Sequence, residues 1–277
     1  MSITDIIRVT PDWLALREPA DAAARAPELL TPLRAHLGPA PLVIRDLGCG
    51  TGSMGRWLAG LLPGPQHWVM QDRDPDLLDI IGARGIGPAA DGSAVTAAAL
   101  AADITGLRAA DLVGTSLVTA SALLDLFTQD EVDGLADACV AAGCPALCTI
   151  SVLGKVNIAP ADPLDTELAA AFDAHQRRVT GGRGLLGPDA PAVAAAAFRS
   201  RGATVYTSPS PWLLGADQAP LAAEWLSGWV DAAVEQRPDL ADAAAEYLSR
   251  RLTACVAGEL RIIVHHTDLL AIPGAAP

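Results

Sequence analysis

Apolar positions in the middle of the chain fall into short runs separated by longer segments with helical spacing. The run at residues 41–47 ends in glycines, and residues 54–62 then have the spacing of a helix. A strand, a glycine turn and a helix in this order begin a β-α-β unit. The pattern repeats downstream, and strands that alternate with helices at this spacing predict a parallel, doubly wound α/β sheet. The further predicted strands are 67–71, 94–102, 116–121 and 146–152, and the predicted helices between them are 75–83 and 129–142.

The chain before the first predicted strand has a helical pattern. Thr10 is a suitable N-cap, Pro11 suits the first helical position, and leucines recur at helical spacing up to Leu37. We therefore expect residues 1–38 to form an N-terminal helical cap, followed by one domain over residues 39–277.

The pattern after the fifth predicted strand is less regular. We expect two helical insertions in the sheet domain, near residues 155–190 and 217–257. The architecture is then a mostly parallel sheet of about seven strands flanked by helices. The elements predicted here are helices over 165–179, 190–201, 221–235 and 240–257, a glycine-rich turn at 181–187, and strands over 203–207 and 260–266.

Composition and charge narrow the class of protein. The 277 residues suit one large α/β domain, and the 51% of hydrophobic residues include only 4% of aromatic ones, which favours close packing of helices on a sheet. A net charge of -13 repels polyanions, because nucleic-acid binding depends on Lys and Arg side chains that neutralise phosphates. A nucleic-acid partner is therefore not expected.

Cysteine usage and the lengths of apolar runs bear on the cellular compartment. The five cysteines form no CxxC pair and are odd in number, so neither a zinc site nor a disulfide framework is predicted. The N-terminus lacks the apolar core of a signal peptide, and no apolar run approaches the ~18 to 20 residues that span a bilayer. We expect a cytoplasmic protein without a metal ion and without a membrane partner.

The sharpest chemical signal is the stretch from Asp46 to Gly52, Asp-Leu-Gly-Cys-Gly-Thr-Gly, which continues an apolar strand. Glycines at alternate positions let the backbone approach a ligand and turn sharply into the next helix. Asp46 places a charge in the apolar strand, which is costly unless the carboxylate is hydrogen-bonded or meets a positive group. The alternative is that Asp46 merely caps the turn.

A dinucleotide site is a second interpretation of the same stretch. Gly50, Gly52 and Gly55 satisfy GxGxxG, and Asp72 lies about where such a fold places its ribose-binding acid. Against an NAD(P)-dependent enzyme, the turn opens earlier, at Gly48, a charged residue lies within the strand, and a long helical segment precedes the strand. The NAD(P) interpretation is kept as an alternative.

The Asp-x-Gly-x-Gly-x-Gly run over residues 46–52 resembles motif I of class I S-adenosylmethionine (SAM)-dependent methyltransferases. The resemblance extends over residues 41–152 and implies a Rossmann-like fold and an enzyme that uses SAM as its cofactor. By the same resemblance Asp72 holds the ribose hydroxyls, Asp103 contacts the adenine amino group, and Ile104 supplies an apolar contact to the ring. The cofactor-binding residues that the resemblance implies are Asp46, Gly48, Cys49, Gly50, Gly52, Asp72, Arg73, Asp103, Ile104 and Ser121.

Each of the two downstream acids also has a plain structural interpretation. Asp72 could cap the helix before Pro75, although Asp74 suits that role better. Asp103 alone suits a turn, where Asp is common. The cofactor-binding interpretation is favoured because Asp72 and Asp103 follow Asp46 in the order of the family's acids, after the second and third predicted strands.

The segment after the fourth predicted strand, residues 116–125, faces the methyl group in the resembling family. It departs from the Asn/Asp-Pro-Pro-Tyr pattern of methyltransferases that act on nucleic-acid bases or protein glutamine, which disfavours those methyl acceptors. Asp125 follows Ser121 by four residues and could reach the same pocket as a catalytic base. Its alternative role is to balance a helix dipole.

His175 is the second candidate catalytic base, because a histidine ordinarily titrates near neutral pH and this one shares a helical face with apolar residues. The alternative is a histidine whose hydrogen bonds are satisfied in the core. Arg178 could clamp an acidic substrate or belong to a solvated face. Trp13 and Arg17 in the N-terminal segment are expected to bind substrate, with Trp13 as a lid residue.

We therefore expect a methyltransferase that transfers a methyl group to oxygen or nitrogen of a small-molecule acceptor. An RNA or protein methyltransferase and an NAD(P)-dependent enzyme are the alternatives. The identity of the methyl acceptor, the use of a general base and the oligomeric state do not follow from any motif in the sequence.

Overall fold

A computed structural model describes residues 9–38 and 41–274 of the chain. Its helices are α1 (Pro11–Ala24), α2 (Leu30–His36), α3 (Ser53–Ala59), α4 (Pro75–Arg84), α5 (Gln129–Ala141), α6 (Asp165–Gln176), α7 (Ala190–Ser200), α8 (Ala219–Gln236) and α9 (Ala241–Val256). Its strands are β1 (Leu42–Leu47), β2 (Gln66–Asp72), β3 (Val95–Ala101), β4 (Leu117–Ser121), β5 (Ala146–Ala159), β6 (Val179–Thr180), β7 (Arg183–Gly184), β8 (Thr204–Pro209), β9 (Trp212–Leu214) and β10 (Arg261–Ile272).

The main sheet has the order β3-β2-β1-β4-β5-β10-β8, and β9 also pairs with β10. Strands β1 to β5 are parallel, whereas β10 runs antiparallel to β5, β8 and β9. This order confirms the prediction of a Rossmann-like, doubly wound, mostly parallel sheet. The chain leaves β1 in opposite directions toward β2 and β4, and open α/β sheets bind ligands at the carboxyl ends of the strands beside such a switch point.

The central strand β1 is apolar because helices cover both faces of the sheet there. Ile44 packs with α2 and α3 on one face, and Leu47 packs with α5 and α7 on the other. Both side chains are fully buried. A strand buried on both faces has a continuous apolar run instead of alternation. Asp46, which lies between these two residues, therefore needs a separate explanation.

A third buried cluster lies beside β9 and β10 and contains residues of α6, α8 and α9. Trp229 and Tyr247 are among its buried aromatic side chains. Helix α1 packs against both β9 and α3. The N-terminal helix therefore runs from this cluster to the turn that follows β1.

The N-terminal segment is broken into shorter helices. As predicted, α1 begins with a cap, in which the Thr10 hydroxyl accepts a hydrogen bond from the Trp13 amide at 3.2 Å, and Pro11 lies in its first turn. The helix ends at Ala24, and the next residue, Arg25, leaves the helical conformation with a ψ of 136°. A proline at the start of the next turn, Pro27–Leu29, disfavours helical backbone in the residue before it and separates α1 from α2.

Strands β5 and β10 are longer than the sequence pattern predicts. The predicted ends at residues 152 and 266 are wrong, because the two strands pair antiparallel from Ala146 with Ala271 to Ala159 with Arg261. Gly154 and polar residues interrupt the apolar run of β5, and polar residues interrupt that of β10. The pairing also has register irregularities along β10. Antiparallel pairing is a long-range contact that compensates for weak local β propensity.

None of the described helices is both long enough and apolar enough to cross a membrane. Within residues 9–38 and 41–274, no group of three or more His, Cys, Asp or Glu side chains is placed to hold a metal ion. All five cysteines are buried and unpaired.

Candidate functional site

The turn after β1 requires glycine at three positions. Gly48, Gly50 and Gly52 have φ values of 59°, 52° and 87°, a region of backbone conformation that other residues disfavour. A Cβ at Gly48 would lie 2.8 Å from the Leu123 side chain, and one at Gly50 would lie 3.1 Å from Leu14. The loop backbone is therefore held closely between α1 and the segment after β4.

Asp46 is a buried acid with an incomplete set of hydrogen bonds. The Thr119 hydroxyl donates to its Oδ1 at 2.7 Å, whereas its Oδ2 is buried and has no partner. Burial raises the pKa of Asp46 to about 7, and the hydrogen bond from Thr119 and the charge of Arg25 oppose that rise. An unpaired buried oxygen is costly. The arrangement therefore favours a ligand that brings a positive or hydrogen-donating group to this carboxylate.

Arg25, just after α1, is a cation buried within electrostatic reach of Asp46. Its Nη2 donates to the hydroxyls of Ser53 at 3.2 Å and Ser121 at 3.1 Å, and the guanidinium carbon lies 5.3 Å from the centre of the Trp57 ring. Its Nε and Nη1 are buried without partners. Burial lowers the pKa of Arg25, and nearby carboxylates oppose that effect. These free donors suit a carboxylate ligand.

Asp72 lies at the end of β2, directly beside the glycine loop. Its Oδ2 accepts from the Gly50 amide at 2.9 Å, and its Oδ1 accepts from the Asp74 amide at 3.0 Å. The Cys49 amide donates to the Gln71 carbonyl at 3.1 Å, which joins the loop to the strand end. A carboxylate has about four acceptor positions, so these two bonds leave capacity for a diol. Asp74 caps α4, as predicted.

Asp103 and Ile104 follow β3, and the Ala102 amide links that strand end to the Asp72 carbonyl at 3.0 Å. The Oδ1 of Asp103 accepts from the amide and the hydroxyl of Thr105, both at 2.8 Å, and the amide bond foremost lowers the pKa of Asp103. The side chain therefore has the turn role, beside a groove of about 320 Å³. Ile104 packs against the core, and Arg73 is exposed after β2.

Helix α1 lies over the glycine loop. Its Glu18 pairs with Arg56 at 2.6 Å and with Arg84 at 3.1 Å. Burial alone would raise the pKa of Glu18, but these two arginines hold it below its usual value. Together with the contact of Leu14 with the loop, the ion pairs fix α1 across the carboxyl ends of the central strands.

On another side of α1, Arg17 joins Asp21 through two hydrogen bonds, Nε to Oδ2 at 2.9 Å and Nη2 to Oδ1 at 3.2 Å. The guanidinium carbon of Arg17 lies 4.9 Å from the Trp212 ring centre and 5.8 Å from that of Trp13. The Trp212 indole donates to Asp21 Oδ1 at 3.0 Å, and its ring centre lies 5.2 Å from the His266 ring. The structure thus groups the predicted Trp13 and Arg17 with three residues that the sequence analysis did not assign to the site.

Asp125 follows β4 and is half-buried. Burial raises the pKa of Asp125 to about 6, and the charges of Arg17 and Arg178 oppose the rise, so these three predicted residues lie within electrostatic reach of one another. Arg178 Nη1 lies 3.3 Å from Nδ1 of His175, at the end of α6. The other ring nitrogen of His175 lies 3.1 Å from the exposed carboxylate of Glu235. His175 is therefore linked to Asp125 and Arg17 through its contact with Arg178.

Two further contacts hold the site together across distant parts of the chain. The Thr149 hydroxyl of β5 donates to Ser121 Oγ at 3.1 Å. Asp268 of β10 accepts from the amides of Ile150 at 2.7 Å and Ala26 at 2.8 Å. Asp268 and Ala26 are 242 residues apart, so no local pattern indicates that they meet. This contact fixes the chain beside Arg25 onto the sheet.

No protein-family model matches this chain, and no curated protein matches it in sequence. Comparison with solved structures finds similarity to the cyclopropane synthase MmaA2 from Mycobacterium tuberculosis, 14% identical over 95% of this chain and 94% of that chain, with a TM-score of 0.49. A SAM-dependent methyltransferase from Geobacter sulfurreducens in complex with S-adenosyl-L-homocysteine is 18% identical over 97% of this chain and 100% of that chain, with a TM-score of 0.43. An O-methyltransferase family protein from Burkholderia thailandensis is 19% identical over 70% of this chain and 53% of that chain, with a TM-score of 0.44. Identities and TM-scores at this level assign no ligand and no residue role to this chain.

Proposed function

We propose that the protein is a SAM-dependent methyltransferase that acts on oxygen or nitrogen of a small molecule. One observation carries the proposal: beside the glycine loop, Arg25 has two unpaired buried donors and Asp46 has one unpaired buried oxygen. The amino acid end of SAM bears a carboxylate and an ammonium group, which complement these two side chains. Buried polar atoms of opposite charge are otherwise costly to leave without partners.

The other cofactor contacts follow from the same placement. Asp72 would hold the ribose hydroxyls with its remaining acceptor positions, and the backbone at Gly48, Gly50 and Gly52 would allow close approach. The loop after β3, with Asp103 and the neighbouring Ile104, would border the adenine ring. The predicted residues Cys49, Arg73 and Ser121 adjoin these elements.

SAM supplies a methyl group on a sulfonium, which transfers to a lone pair aligned behind the methyl carbon. Asp125 is our candidate for the base that removes a proton from the methyl acceptor, because a pKa of about 6 keeps it ionised yet basic near neutral pH. His175 is the second candidate, one step further along the contact through Arg178. Trp13, Arg17 and Arg178 would contact the methyl acceptor.

The charge of the protein supports a small methyl acceptor. At -13 the chain as a whole would repel nucleic acid. Helix α1 lies across the site, which leaves little access for a macromolecular substrate unless α1 moves. A covering element of this kind is suited to excluding water around a small molecule. We propose that residues 9–38 act as this cap; residues 1–8 of the predicted 1–38 segment lie outside the described residues.

Calorimetric titration with three ligands tests the cofactor assignment. We expect S-adenosylhomocysteine to bind, NAD to give no heat of binding, and 5′-methylthioadenosine, which lacks the amino acid carbons, to bind more weakly. Arg25→Met should weaken S-adenosylhomocysteine binding by about 1.5 to 3 kcal/mol, the contribution of charged hydrogen bonds, and should leave methylthioadenosine binding unchanged. The matched control is Arg199→Met, an exposed arginine on α7.

Two results would contradict the assignment. Binding of NAD without binding of S-adenosylhomocysteine would replace the methyltransferase with a nicotinamide-dependent enzyme. Equal loss of both adenosine ligands in Arg25→Met would show that Arg25 supports the fold of the site and does not contact the amino acid end.

A further inference from the structure

A second buried polar group lacks a partner, on β10. His266 is only 4% exposed, and its Nδ1 is buried without a hydrogen bond. A neutral imidazole has one nitrogen that donates and one that accepts, and each is costly to bury unpaired. The imidazole of His266 is therefore an uncharged polar group that lacks a hydrogen-bond partner at Nδ1.

The position of His266 relates it to the candidate site. The charge of Arg17 acts on both His266 and the candidate base Asp125, so the three side chains lie near one another. Trp212, against which the His266 ring packs, is bonded to α1 through Asp21. Because α1 also contacts the glycine loop, the same helix covers the loop and the surroundings of His266.

The charges around His266 are already balanced. Arg17 and Asp21 of α1 pair with each other through two hydrogen bonds. Burial holds the pKa of His266 at about 3, the charge of Arg17 and the neighbouring His265 act in the same direction, and Asp21 and the Ser210 backbone oppose them. The imidazole is therefore neutral at physiological pH, and its surroundings do not call for a charged ligand.

The shapes of the neighbouring groups favour a flat molecule. The indoles of Trp13 and Trp212 meet edge to face with ring centres 6.3 Å apart, and the planar guanidinium of Arg17 lies against both. Planar groups of this kind pack well against aromatic rings through offset or edge contacts and through the guanidinium plane. An uncharged hydrogen-bonding group beside planar side chains matches a ring that carries a hydroxyl.

We propose that His266 binds the methyl acceptor by accepting a hydrogen bond from it at Nδ1, and that the acceptor is an uncharged aromatic ring bearing a hydroxyl group. This inference rests on the methyltransferase function proposed above. His266 orients the hydroxyl, while removal of its proton is left to Asp125, whose pKa near 6 makes it the stronger base.

The test measures methyl transfer from labelled SAM to phenol and catechol, with 4-hydroxybenzoate as a negatively charged comparison. We expect the neutral phenols to be methylated more efficiently than the anion. His266→Leu should raise KM for the phenol about tenfold with a smaller change in kcat, because it removes a binding interaction. His266→Asn, which keeps an acceptor atom near the Nδ1 position, should stay within about threefold of the unchanged protein.

Cofactor binding and melting temperature separate a ligand-binding role of His266 from a purely structural one. If Nδ1 serves only a ligand, His266→Leu should bind S-adenosylhomocysteine normally and melt no lower than the unchanged protein, because an unpaired polar group has been replaced by an apolar one. The matched control is His265→Leu, because the imidazole of His265 already has a hydrogen-bond partner in Asn157. This control should leave KM unchanged.

Three outcomes separate the possible failures. Absence of S-adenosylhomocysteine binding in the unchanged protein would overturn the proposed function itself. Normal S-adenosylhomocysteine binding without methylation of any phenol would overturn the proposed acceptor class alone. An unchanged KM in His266→Leu, or a KM in His266→Asn as high as in His266→Leu, would overturn the role of His266. If His266→Leu does not fold, the comparison of His266→Asn with His266→Gln decides, since only Asn keeps the acceptor near Nδ1.

Discussion

The two halves of the candidate site differ in how their residues come together. The cofactor half centres on residues 46–52 and Asp72, which lie within one strand-turn-helix-strand unit of the chain, from β1 through α3 to β2. The half around His266 depends on contacts such as that of Trp212 with Asp21, which are 191 residues apart. Local geometry positions the glycine loop and Asp72, and within the first half Arg25 is brought in by tertiary packing. The packing of α1 on β9 positions the second half.

The unpaired groups of the two halves differ in charge. Beside the glycine loop they belong to the ionisable side chains of Arg25 and Asp46, which can carry opposite charges, and to the hydroxyl of Thr51. On the other side the unpaired atom is Nδ1 of His266, whose imidazole is uncharged. A site that leaves charged atoms unpaired selects a charged group, and one that leaves neutral atoms unpaired selects a neutral group. This contrast is why we assign the zwitterionic end of SAM to the first half and a neutral methyl acceptor to the second.

The largest expected effect concerns the pH dependence of stability. Burial raises the pKa of Asp46 to about 7 in the folded protein, above an unfolded value near ~3.9, so the folded state binds this proton more tightly. The contribution of Asp46 to the free energy of unfolding is then full below about pH 4 and is lost as pH rises toward 7, at about 1.4 kcal/mol per pH unit. Asp46→Asn removes this loss. The variant should gain stability relative to the unchanged protein between these two pH values.

Urea unfolding at several pH values measures this difference. Asp125→Asn serves as the comparison from the other half, with a narrower window that ends near pH 6 because burial raises the pKa of Asp125 less. The free energies of unfolding of Asp46→Asn and the unchanged protein could instead differ by the same amount from pH 4 to 8. That result would show that the Asp46 carboxylate is already paired.

The next effect concerns the ribose. Asp72→Ala should weaken S-adenosylhomocysteine binding by about 1 to 3 kcal/mol, since hydrogen bonds to a charged group are lost. It should also remove the bond that holds the Gly50 amide. Calorimetry checks the affinity, with Asp79→Ala on the exposed face of α4 as control. Unchanged affinity in a folded Asp72→Ala protein would reject the ribose role and weaken the contrast between the halves.

The smallest effect concerns the helix that spans both halves. Glu18→Gln breaks the partly buried pairs with Arg56 and Arg84 and should lower the free energy of unfolding by roughly 1 kcal/mol or less. Because α1 would then open more easily, S-adenosylhomocysteine should dissociate faster, as stopped-flow measurements can show. The control is Glu246→Gln, an exposed residue of α9. Equal dissociation rates in both variants would mean that α1 does not cover the ligand.

Several elements show where sequence reasoning was sufficient and where it was not. The start of α1 and the cap of α4 were predictable because capping depends on residues three or fewer positions apart. The lengths of β5 and β10 were not, because each strand is stabilised by pairing with the other over a large separation in sequence. A turn was one of two roles that the sequence offered for Asp103. Its side chain accepts hydrogen bonds from the amide and the hydroxyl of Thr105, as a turn residue does.

By itself the sequence determined the doubly wound sheet, the glycine turn after β1 and the acid within that strand. These features depend on periodicity, on positive φ at glycine and on residues that are neighbours in the chain. Only the tertiary structure decided that Arg25 is buried beside Asp46 and that His266 lies next to Trp212 and Arg17. Burial of a side chain depends on which distant segments pack over it, and one arginine among alanines or one of two adjacent histidines carries no local sign of that packing.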